Sequence, residues 1–478
     1  MSELSKIAVS KRGIVALCIL AALVLATGID RFIVRIESTN FRVELLVGGV
    51  AFLAGAALLG SAAWRALGMI EWALLAWLAV SFVSSVLFSP QPADSIRLTI
   101  LLAGLVVIFL AAILLLRSRE GVFWCALLWV AIGSGVILLG LVQGLLFTFF
   151  GITKGMHFNR TYEDGTFSAI PMVTGTVWEP NLFGSYSLAV GVMAAGLAFA
   201  PQLSSRAWQW RLHLATALGF AGVVVSMTRT VWLVAALVVV ALALSAIRLG
   251  FLRLDSRASR LVAGVGMGVI IGLLVALTLP KISWKTDDPG AMTPVEVAER
   301  AGRGVRGEPI EGAAEGSQVE RESALEDRAG ELAEVGQVPS LLIRQEVMVN
   351  SFNGWLQRPL LGWGTGAYRH VFVIAPGAPN WIPNIFMHVL FDTGLVGLTL
   401  FGGALGLAGW RAISSLRRPA RRWTTADFAT YGLLLAWLSL LLTYQLTDGT
   451  WMGFTGVLLA MLAASGRATS IASEESSQ

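Results

Sequence analysis

Long apolar stretches follow one another along most of the chain, separated by short polar segments. A stretch of about 20 mainly apolar residues is long enough to cross a bilayer as an α-helix. Twelve such stretches occur, near residues 13–28, 43–63, 69–88, 96–116, 121–149, 182–200, 210–228, 230–249, 260–280, 394–412, 426–446 and 449–465. The pattern predicts an all-α polytopic membrane protein with about 12 transmembrane helices.

The composition agrees with a membrane protein and excludes a soluble globular one. Of the 478 residues, 56% are hydrophobic and 14% are charged, whereas about 25% are charged in a soluble domain. The net charge of +5 is explained by membrane topology rather than by binding to nucleic acid. Cys18 and Cys125 both lie in apolar stretches, and the four histidines form no cluster with them. We therefore expect no disulfide framework, no metal site and no cofactor.

The distribution of basic residues predicts the orientation in the membrane. An even number of spans puts both termini on one side, and short cytoplasmic loops carry an excess of Lys and Arg. Of the 35 Lys and Arg, 18 lie in loops on the amino-terminal side and 17 on the other side, but ten of these 17 belong to one long loop. Long loops do not obey this rule. The short loops therefore divide 18 to 7, and both termini are predicted to be cytoplasmic.

One large loop, residues 281–393, divides the chain. Nine spans are expected within 1–280 and three within 394–465, followed by a cytoplasmic tail, 466–478. Because the loop follows an odd number of spans, we expect it to be extracytoplasmic.

The large loop has two parts of different character. Residues 286–340 contain 13 Asp and Glu against five Arg, a composition that predicts disorder or weak helix. Residues 341–358 have apolar residues at helical spacing, namely Leu342, Val347, Val349, Phe352 and Leu356, and Pro359 follows them. This pattern predicts an amphipathic helix on the membrane surface.

Three arginines on the predicted outer side are candidates for binding an anionic ligand. Arg229, in SMTRTVW, lies between two apolar stretches, where an ionisable residue is a functional candidate by default. Arg344 lies on the predicted surface helix, and Arg160 lies in the loop HFNRTYEDGTF. Guanidinium groups bind phosphate oxygens in pairs, so a diphosphate suits them. The alternatives are that Arg229 only orients its hairpin and that Arg344 meets lipid headgroups.

Two further places hold candidate acid–base residues. His388 and Asp392 are four apart on a helical pattern and therefore share one face, so they form a candidate base and its orienting carboxylate. A hydrogen-bonded pair that only fixes helix packing is the equal alternative. Glu179, followed by Asn181 at the start of the sixth span, is either a base or a favourable charge at a helix amino terminus.

Four segments, in this order, resemble the O-antigen ligase and O-antigen polymerase superfamily. They are TVWEPNLFGSYSLA, SMTRTVWLVA, RQEVMVNSFNGWLQRPLLGWGTGAY and PNIFMHVLFDTGLVG. The resemblance implies a glycosyltransferase that moves a glycan from undecaprenyl diphosphate to a glycan or lipid acceptor at the outer face of the bacterial inner membrane. It also implies that Arg229 and Arg344 hold the donor diphosphate, and that Asn181 and Asn384 are motif residues on the acceptor side.

The chain departs from the family pattern at three positions. Pro383 precedes Asn384 where ligases have a histidine, and Asp392 replaces the usual glutamate. Thr174 stands where members often have an arginine, for which Arg160 is the candidate substitute. A ligase, a polymerase or another glycan transferase of the superfamily therefore stays open.

The chemistry expected of such a site needs no metal. A diphosphate is already a good leaving group, so the site mainly has to neutralise the charge that develops on it. Arginines supply that charge, His388 assisted by Asp392 is the first candidate base, and Glu179 is the second. Direct displacement predicts inversion at the anomeric carbon.

Two other classes of function fit part of the same pattern. A transporter or flippase of a lipid-linked solute also has many spans and basic cavity residues, but such carriers usually consist of two related halves, and none are visible in this sequence. A non-catalytic, glycan-binding member of the superfamily is the other alternative, and Pro383 favours it.

Overall fold

The computed structural model of the protein is mostly helical. It describes residues 11–29, 33–36, 39–60, 67–163, 166–177, 179–248, 256–285, 294–306, 314–320, 339–372, 381–417, 419, 422–445 and 452–475. The helices are α1 (Lys11–Gly28), α2 (Val43–Leu59), α3 (Met69–Phe88), α4 (Pro92–Leu115), α5 (Arg119–Phe150), α6 (Pro180–Ala198), α7 (Arg206–Val225), α8 (Arg229–Arg248), α9 (Ser256–Thr278), α10 (Pro294–Val305), α11 (Pro339–Gln357), α12 (Tyr368–Val371), α13 (Ile385–Ser415), α14 (Thr425–Thr443) and α15 (Gly453–Glu475). The strands are β1 (Ile33–Ile36), β2 (Thr39–Arg42), β3 (Met156–Glu163), β4 (Thr166–Val173), β5 (Lys281–Lys285) and β6 (Ala314–Glu320).

Several helices have the length and composition of membrane spans. Among the described residues, seven qualify, namely Met69–Leu87, Pro92–Leu115, Arg119–Phe150, Pro180–Ala198, Arg260–Thr278, Ile385–Ser415 and Thr425–Thr443. Four shorter apolar helices are Gly13–Gly28, Val43–Leu59, Arg229–Ser245 and Gly453–Gly466. A multi-span membrane protein is therefore supported, whereas the count of twelve stays a prediction.

The prediction of an all-α protein is wrong in one respect, because the chain also forms sheets. Strands β1 and β2 form an antiparallel pair, and β3, β4, β5 and β6 form a four-stranded antiparallel sheet in that order. In the hairpin of β3 and β4, Glu163 lies opposite Thr166, so two residues, Asp164 and Gly165, connect the strands. Asp-Gly between two β-type runs is a strong hairpin signal.

The described parts of the acidic segment 286–340, for which disorder or weak helix is expected, are helix α10, strand β6 and the start of α11, and only the strand differs from that expectation. Helix α10 contacts β3, β5 and β6, and its Val297 and Ala301 are buried. These two residues are four apart and therefore lie on one face. Strand β6 extends the sheet at β5. The acidic composition does not indicate the narrow apolar face of α10. It also does not indicate strand β6, whose partner β5 lies far away in sequence. The rest of the segment lies outside the described residues.

Contacts divide the chain into two units, and the division falls within α5. The first unit comprises residues 1–129 and 339–478, and the second comprises 130–338.

The second unit is built around α6, which is buried along almost its whole length. Gly191 of α6 packs directly against the backbone of α7 at Gly219. Helix α9 also packs on α7, with Gly268 against Ala217. Small residues let helix backbones approach closely in membranes. Glu179 lies at the amino terminus of this buried helix.

The first unit packs α13 against α3 and α15, and α4 against α2 and α15. One end of this unit is rich in polar groups and contains segments 84–99, 358–372 and 384–394, which we call the polar end. The amide of Ile385 donates to the carbonyl of Tyr444, so the carboxyl end of α14 also lies there. These helix ends therefore lie together, and the side of the membrane on which they lie stays a prediction.

Helix α11 corresponds to the amphipathic helix predicted over 341–358, but only some of the expected apolar residues face the core. Val347 is buried in a cluster with Tyr368 and Phe391, whereas Phe352 and Leu356 are exposed. Gly354 allows the packed face to approach closely, because an added Cβ would lie 2.7 Å from the Phe391 ring. A membrane-surface position for the exposed face stays a prediction.

Candidate functional site

A break in helix α13 organises the polar end. Gly394 has φ 65° and ψ −166°, a conformation open almost only to glycine. The break removes helical partners from neighbouring backbone groups, and the turn after α11 supplies replacements. The amides of Leu395 and Val396 donate to the carbonyls of Pro359 and Leu360, at 2.8 and 3.2 Å.

The turn at residues 358–367 binds back to the same break. Its three glycines, Gly362, Gly364 and Gly366, all have positive φ, at 68°, 93° and 67°. Successive amides from 362 to 366 donate to Arg358 O, Phe391 O, Asp392 O, Ser85 Oγ and Asp392 Oδ2, at distances of 2.9–3.0 Å. A glycine-rich loop cradles phosphate only with amides that point outward. Because these amides donate within the protein, the turn is a clamp on α13 rather than a phosphate-binding loop.

The pair predicted from the four-residue spacing on α13 does form. His388 Nε2 lies 3.2 Å from Asp392 Oδ2, and both residues are only 5% exposed. The same carboxylate oxygen accepts the amide of Gly366 at 2.9 Å. Asp392 thus joins the histidine to the glycine-rich turn.

A small cavity of about 20 Å³ borders this pair. Its polar lining includes Ser81, Thr365, His388, Asp392 and Thr393. A single water molecule requires roughly 10–15 Å³ of such space. The cavity therefore has room for a water molecule but not for a sugar ring.

Two residues that the sequence analysis did not predict connect the turn at residues 358–367 to α3. The hydroxyl of Ser84 donates to the carbonyl of Leu361 at 2.5 Å and also lies 3.0 Å from the carbonyl of Asp392. Arg358 Nη1 donates to the carbonyl of Phe88, the last residue of α3, at 2.6 Å, and its guanidinium lies 4.0 Å from the Trp363 ring centroid. A cation is favourable at a helix carboxyl terminus. A sequence signal existed, because Ser81, Ser84 and Ser85 form a polar stripe at helical spacing on an apolar helix.

Asn384, a motif residue, has a structural role at the start of α13. Its Oδ1 accepts the amide of Met387 at 2.9 Å, which makes it the N-cap. Its Nδ2 donates to the carbonyl and to the side-chain oxygen of Gln445, both at 3.1 Å. Pro383 is buried beside it.

Arg344 lies half-buried on α11, in the first unit with His388 and Asp392.

Tyr368 follows the turn at residues 358–367. Burial raises the pKa of its hydroxyl, its hydrogen bond with Asn350 lowers that pKa, and the charge of Glu346 raises it. The net direction is upward, so Tyr368 is a neutral hydrogen-bonding group at neutral pH and not a base.

Arg229 belongs to the second unit, where it is half-buried at the first position of α8. The hairpin between α7 and α8 is tight, because Met227 has φ 50°. Its flanking hydroxyls, Ser226 Oγ and Thr228 Oγ1, lie 2.9 Å apart. The indole Nε1 of Trp232 donates to the carbonyl of Val223 at 2.9 Å and closes the hairpin.

The other candidates of the second unit occupy the start of α6 and the sheet. Glu179 is the half-buried N-cap residue of α6, but its side chain accepts no capping hydrogen bond there, and Asn181 is half-buried in the first turn. Arg160 lies in β3 opposite Ala169, and only its backbone is described. Thr174 is buried, and its hydroxyl donates to the carbonyl of Gly155 at 3.0 Å.

The structure thus joins His388 to Asp392 and places Arg344 and Asn384 in the same unit. Arg229, Glu179, Asn181 and Arg160 all belong to the second unit. Among the described residues, no group of three or more His, Cys, Asp or Glu is placed to hold a metal ion.

Fold and site together define a mostly helical, multi-span membrane protein with a buried His–Asp pair beside a broken helix. Residues 214–402 match the family model described as O-Antigen ligase. The match confirms the resemblance to the O-antigen ligase superfamily over this part of the chain. It includes Arg229, Arg344, Asn384, His388 and Asp392, whereas the segment with Glu179 and Asn181 precedes it. No curated protein matches the chain.

Substitutions at Asp392 separate its two hydrogen bonds. In Asp392→Ala, the buried amide of Gly366 loses its acceptor, so we expect a loss of about 1–3 kcal/mol in the free energy of unfolding. Asp392→Asn keeps an oxygen for Gly366 and should lose distinctly less. Thermal unfolding in nanodiscs measures both.

A surface carboxylate provides the control for Asp392. Asp94 pairs with Arg369 at 2.8 Å, and its side chain is 42% exposed. Asp94→Ala should cost no more than about 1 kcal/mol. Equal destabilisation by Asp392→Asn and Asp392→Ala would show that the bond to Gly366 does not hold the turn.

Proposed function

We propose that this protein transfers a saccharide from an undecaprenyl-diphosphate carrier to a glycan or lipid acceptor at the outer face of the bacterial inner membrane. The observation that carries the proposal is the family match over residues 214–402. An O-antigen ligase or polymerase acts on a lipid-linked glycan. The accompanying topology has twelve spans, both termini in the cytoplasm and the active site outside it.

The donor diphosphate is bound by Arg229 and Arg344, with Arg160 as a third ligand. Negative charge develops on the diphosphate as the glycosidic C–O bond breaks, and a donor aimed at such a charge is worth about 3 kcal/mol. Arg229 has an additional advantage, because the amino terminus of α8 adds positive potential. Since the amides of the 358–367 turn already donate within the protein, side chains rather than this loop supply the positive charge.

The acceptor hydroxyl is deprotonated by His388 through a water molecule, because the cavity beside His388 has room for a water molecule but not for a sugar ring. His388 Nε2 faces Asp392 Oδ2 at 3.2 Å, so Asp392 holds the ring proton on Nε2 and leaves the Nδ1 lone pair as the base. The Gly366 amide holds Asp392 in turn. Glu179 is the second candidate base. Asn181 and Asn384, the asparagines of the two motifs, act on the acceptor side.

The reaction is a single displacement. The acceptor oxygen forms a bond to the anomeric carbon while the bond from that carbon to the diphosphate oxygen breaks. The proton passes to His388, and undecaprenyl diphosphate leaves with the electron pair. One displacement inverts the anomeric configuration, and arginine charge performs the electrostatic part without a metal ion.

The test is transfer by the purified protein in nanodiscs that contain an undecaprenyl-diphosphate oligosaccharide and an acceptor, with EDTA present. We expect a product with inverted anomeric configuration by NMR. His388→Gln should lower kcat by about 10²- to 10⁴-fold, the usual contribution of a general base. Glu179→Gln is the matched comparison and should change kcat much less. A retained configuration, or a large effect of Glu179→Gln alone, would overturn the assignment of the base.

A further inference from the structure

Three buried hydroxyl groups form a closed triangle at the polar end of the first unit. Ser85 Oγ lies 3.0 Å from Thr99 Oγ1 and 3.2 Å from Thr365 Oγ1, and the two threonine oxygens are 2.9 Å apart. All three residues are buried. Ser85 also accepts the amide of Thr365 at 3.0 Å. The triangle therefore ties the turn both to α3 and to α4.

The triangle leads directly to the His–Asp pair. Thr365 lines the same small cavity as His388 and Asp392. The next residue, Gly366, donates its amide to Asp392 Oδ2. Because the triangle holds Thr365 by both its side chain and its amide, it also fixes the direction of the adjacent Gly366 N–H.

A threonine hydroxyl within a helix commonly donates to a carbonyl one turn earlier in the same helix. The contacts of the triangle instead join different segments. Thr430 on α14 is also buried, and its hydroxyl donates to the carbonyl of Ala426, one turn earlier in its own helix, at 2.9 Å. Thr99 makes the same kind of bond, to Ser95 at 2.8 Å, and in addition contacts a distant segment. Thr99 and Thr430 therefore differ mainly in this contact between segments.

We propose that Ser85 and Thr99 are positioning residues, which act through Thr365 and Gly366 to orient Asp392 and His388 for proton transfer. Both lie outside the family match at 214–402, on the hairpin of α3 and α4. The inference rests on the proposed function, since it concerns the orientation of the proposed base.

The test compares Thr99→Val with Thr430→Val in the 478-residue chain in nanodiscs. Valine keeps the shape of threonine but removes the hydroxyl. Thr99→Val should lower kcat for glycan transfer about tenfold with little change in the KM for the donor, and should speed amide exchange in residues 358–367. Thr430→Val should change neither, and Thr99→Ser, which restores the hydroxyl, should return both towards wild type. Ser85→Ala should resemble Thr99→Val.

The two readouts separate the two proposals. Equal exchange and equal kcat in Thr99→Val and Thr430→Val would overturn the positioning role, even with an active wild-type enzyme. An equal fall in kcat in both variants would also overturn it, because a general loss of packing then explains the effect. Absence of transfer by the wild type would overturn the proposed function and the catalytic part of this inference, while amide exchange would still decide whether the triangle holds the turn.

Discussion

Replacement of Arg229 or Arg344 by alanine is expected to lower kcat for glycan transfer by about 10²- to 10³-fold, the loss typical of one donor aimed at a developing anion. The folded protein should persist, since both side chains are only half-buried. Lysine at either position should also be much slower than arginine, because an ammonium group lacks the paired donors that match a diphosphate. Single-turnover rates with undecaprenyl-diphosphate oligosaccharide measure the effect.

Arg211 provides the control for the arginine variants. It is an exposed residue of α7 in the second unit, and its guanidinium lies over the Trp208 ring at 5.2 Å. Arg211→Ala should keep nearly the full rate. If Arg229→Ala and Arg344→Ala also keep it, the arginines do not bind the leaving group and the lipid-headgroup alternative gains support.

Gly394→Ala is expected to have the largest effect on folding among glycine substitutions in α13. The φ and ψ of 65° and −166° would cost a non-glycine residue about 1–3 kcal/mol. In addition, the new Cβ would overlap the carbonyl group of Leu360 and the amide of Leu361. Backbone atoms cannot rotate away, so the turn must leave α13. We expect a lower melting temperature, a poor yield and loss of transfer.

Two other glycines of the same helix serve as controls for Gly394. A Cβ at Gly402 or Gly406 would meet nothing within 4 Å. Alanine there should be neutral or stabilising by up to about 1 kcal/mol, because it favours helix more than glycine does. A Gly394→Ala protein as stable as Gly402→Ala would show that the break in α13 is not required.

The sequence predicted those features that depend on local periodicity. The apolar runs predicted most of the helices, and the spacing of His388 and Asp392 predicted a pair that the structure contains at 3.2 Å. The order of four short segments predicted the family that residues 214–402 match.

Features that depend on contacts between distant segments were not predicted. Strand β5 pairs with β4, more than 100 residues earlier, and no local pattern specifies such a partner. Asp164-Gly165 is a sequence signal for the hairpin of β3 and β4. The segment HFNRTYEDGTF was instead interpreted as a polar loop that carries Arg160. The break at Gly394 was hidden because a single glycine in an apolar run is usually compatible with a continuous helix.

The glycine-rich turn binds within the protein. The amides of Gly362, Gly364 and Gly366 donate to the Arg358 and Asp392 carbonyls and the Asp392 carboxylate. Through the same turn, hydrogen bonds link Asp392 to α3 and α4, which are far away in sequence. The electrostatic part of the proposed reaction therefore depends on arginine side chains, and the turn contributes by positioning.

The most direct test of the proposed function measures donor binding and product formation on the same nanodisc sample, with EDTA present. The wild type should bind undecaprenyl-diphosphate oligosaccharide and release undecaprenyl diphosphate in step with a lengthened or relocated glycan, and Arg344→Ala should block that release. Binding of the carrier by the wild type without any glycan transfer, across lipid and glycan acceptors, would contradict the glycosyltransferase account and favour a transport or glycan-binding role.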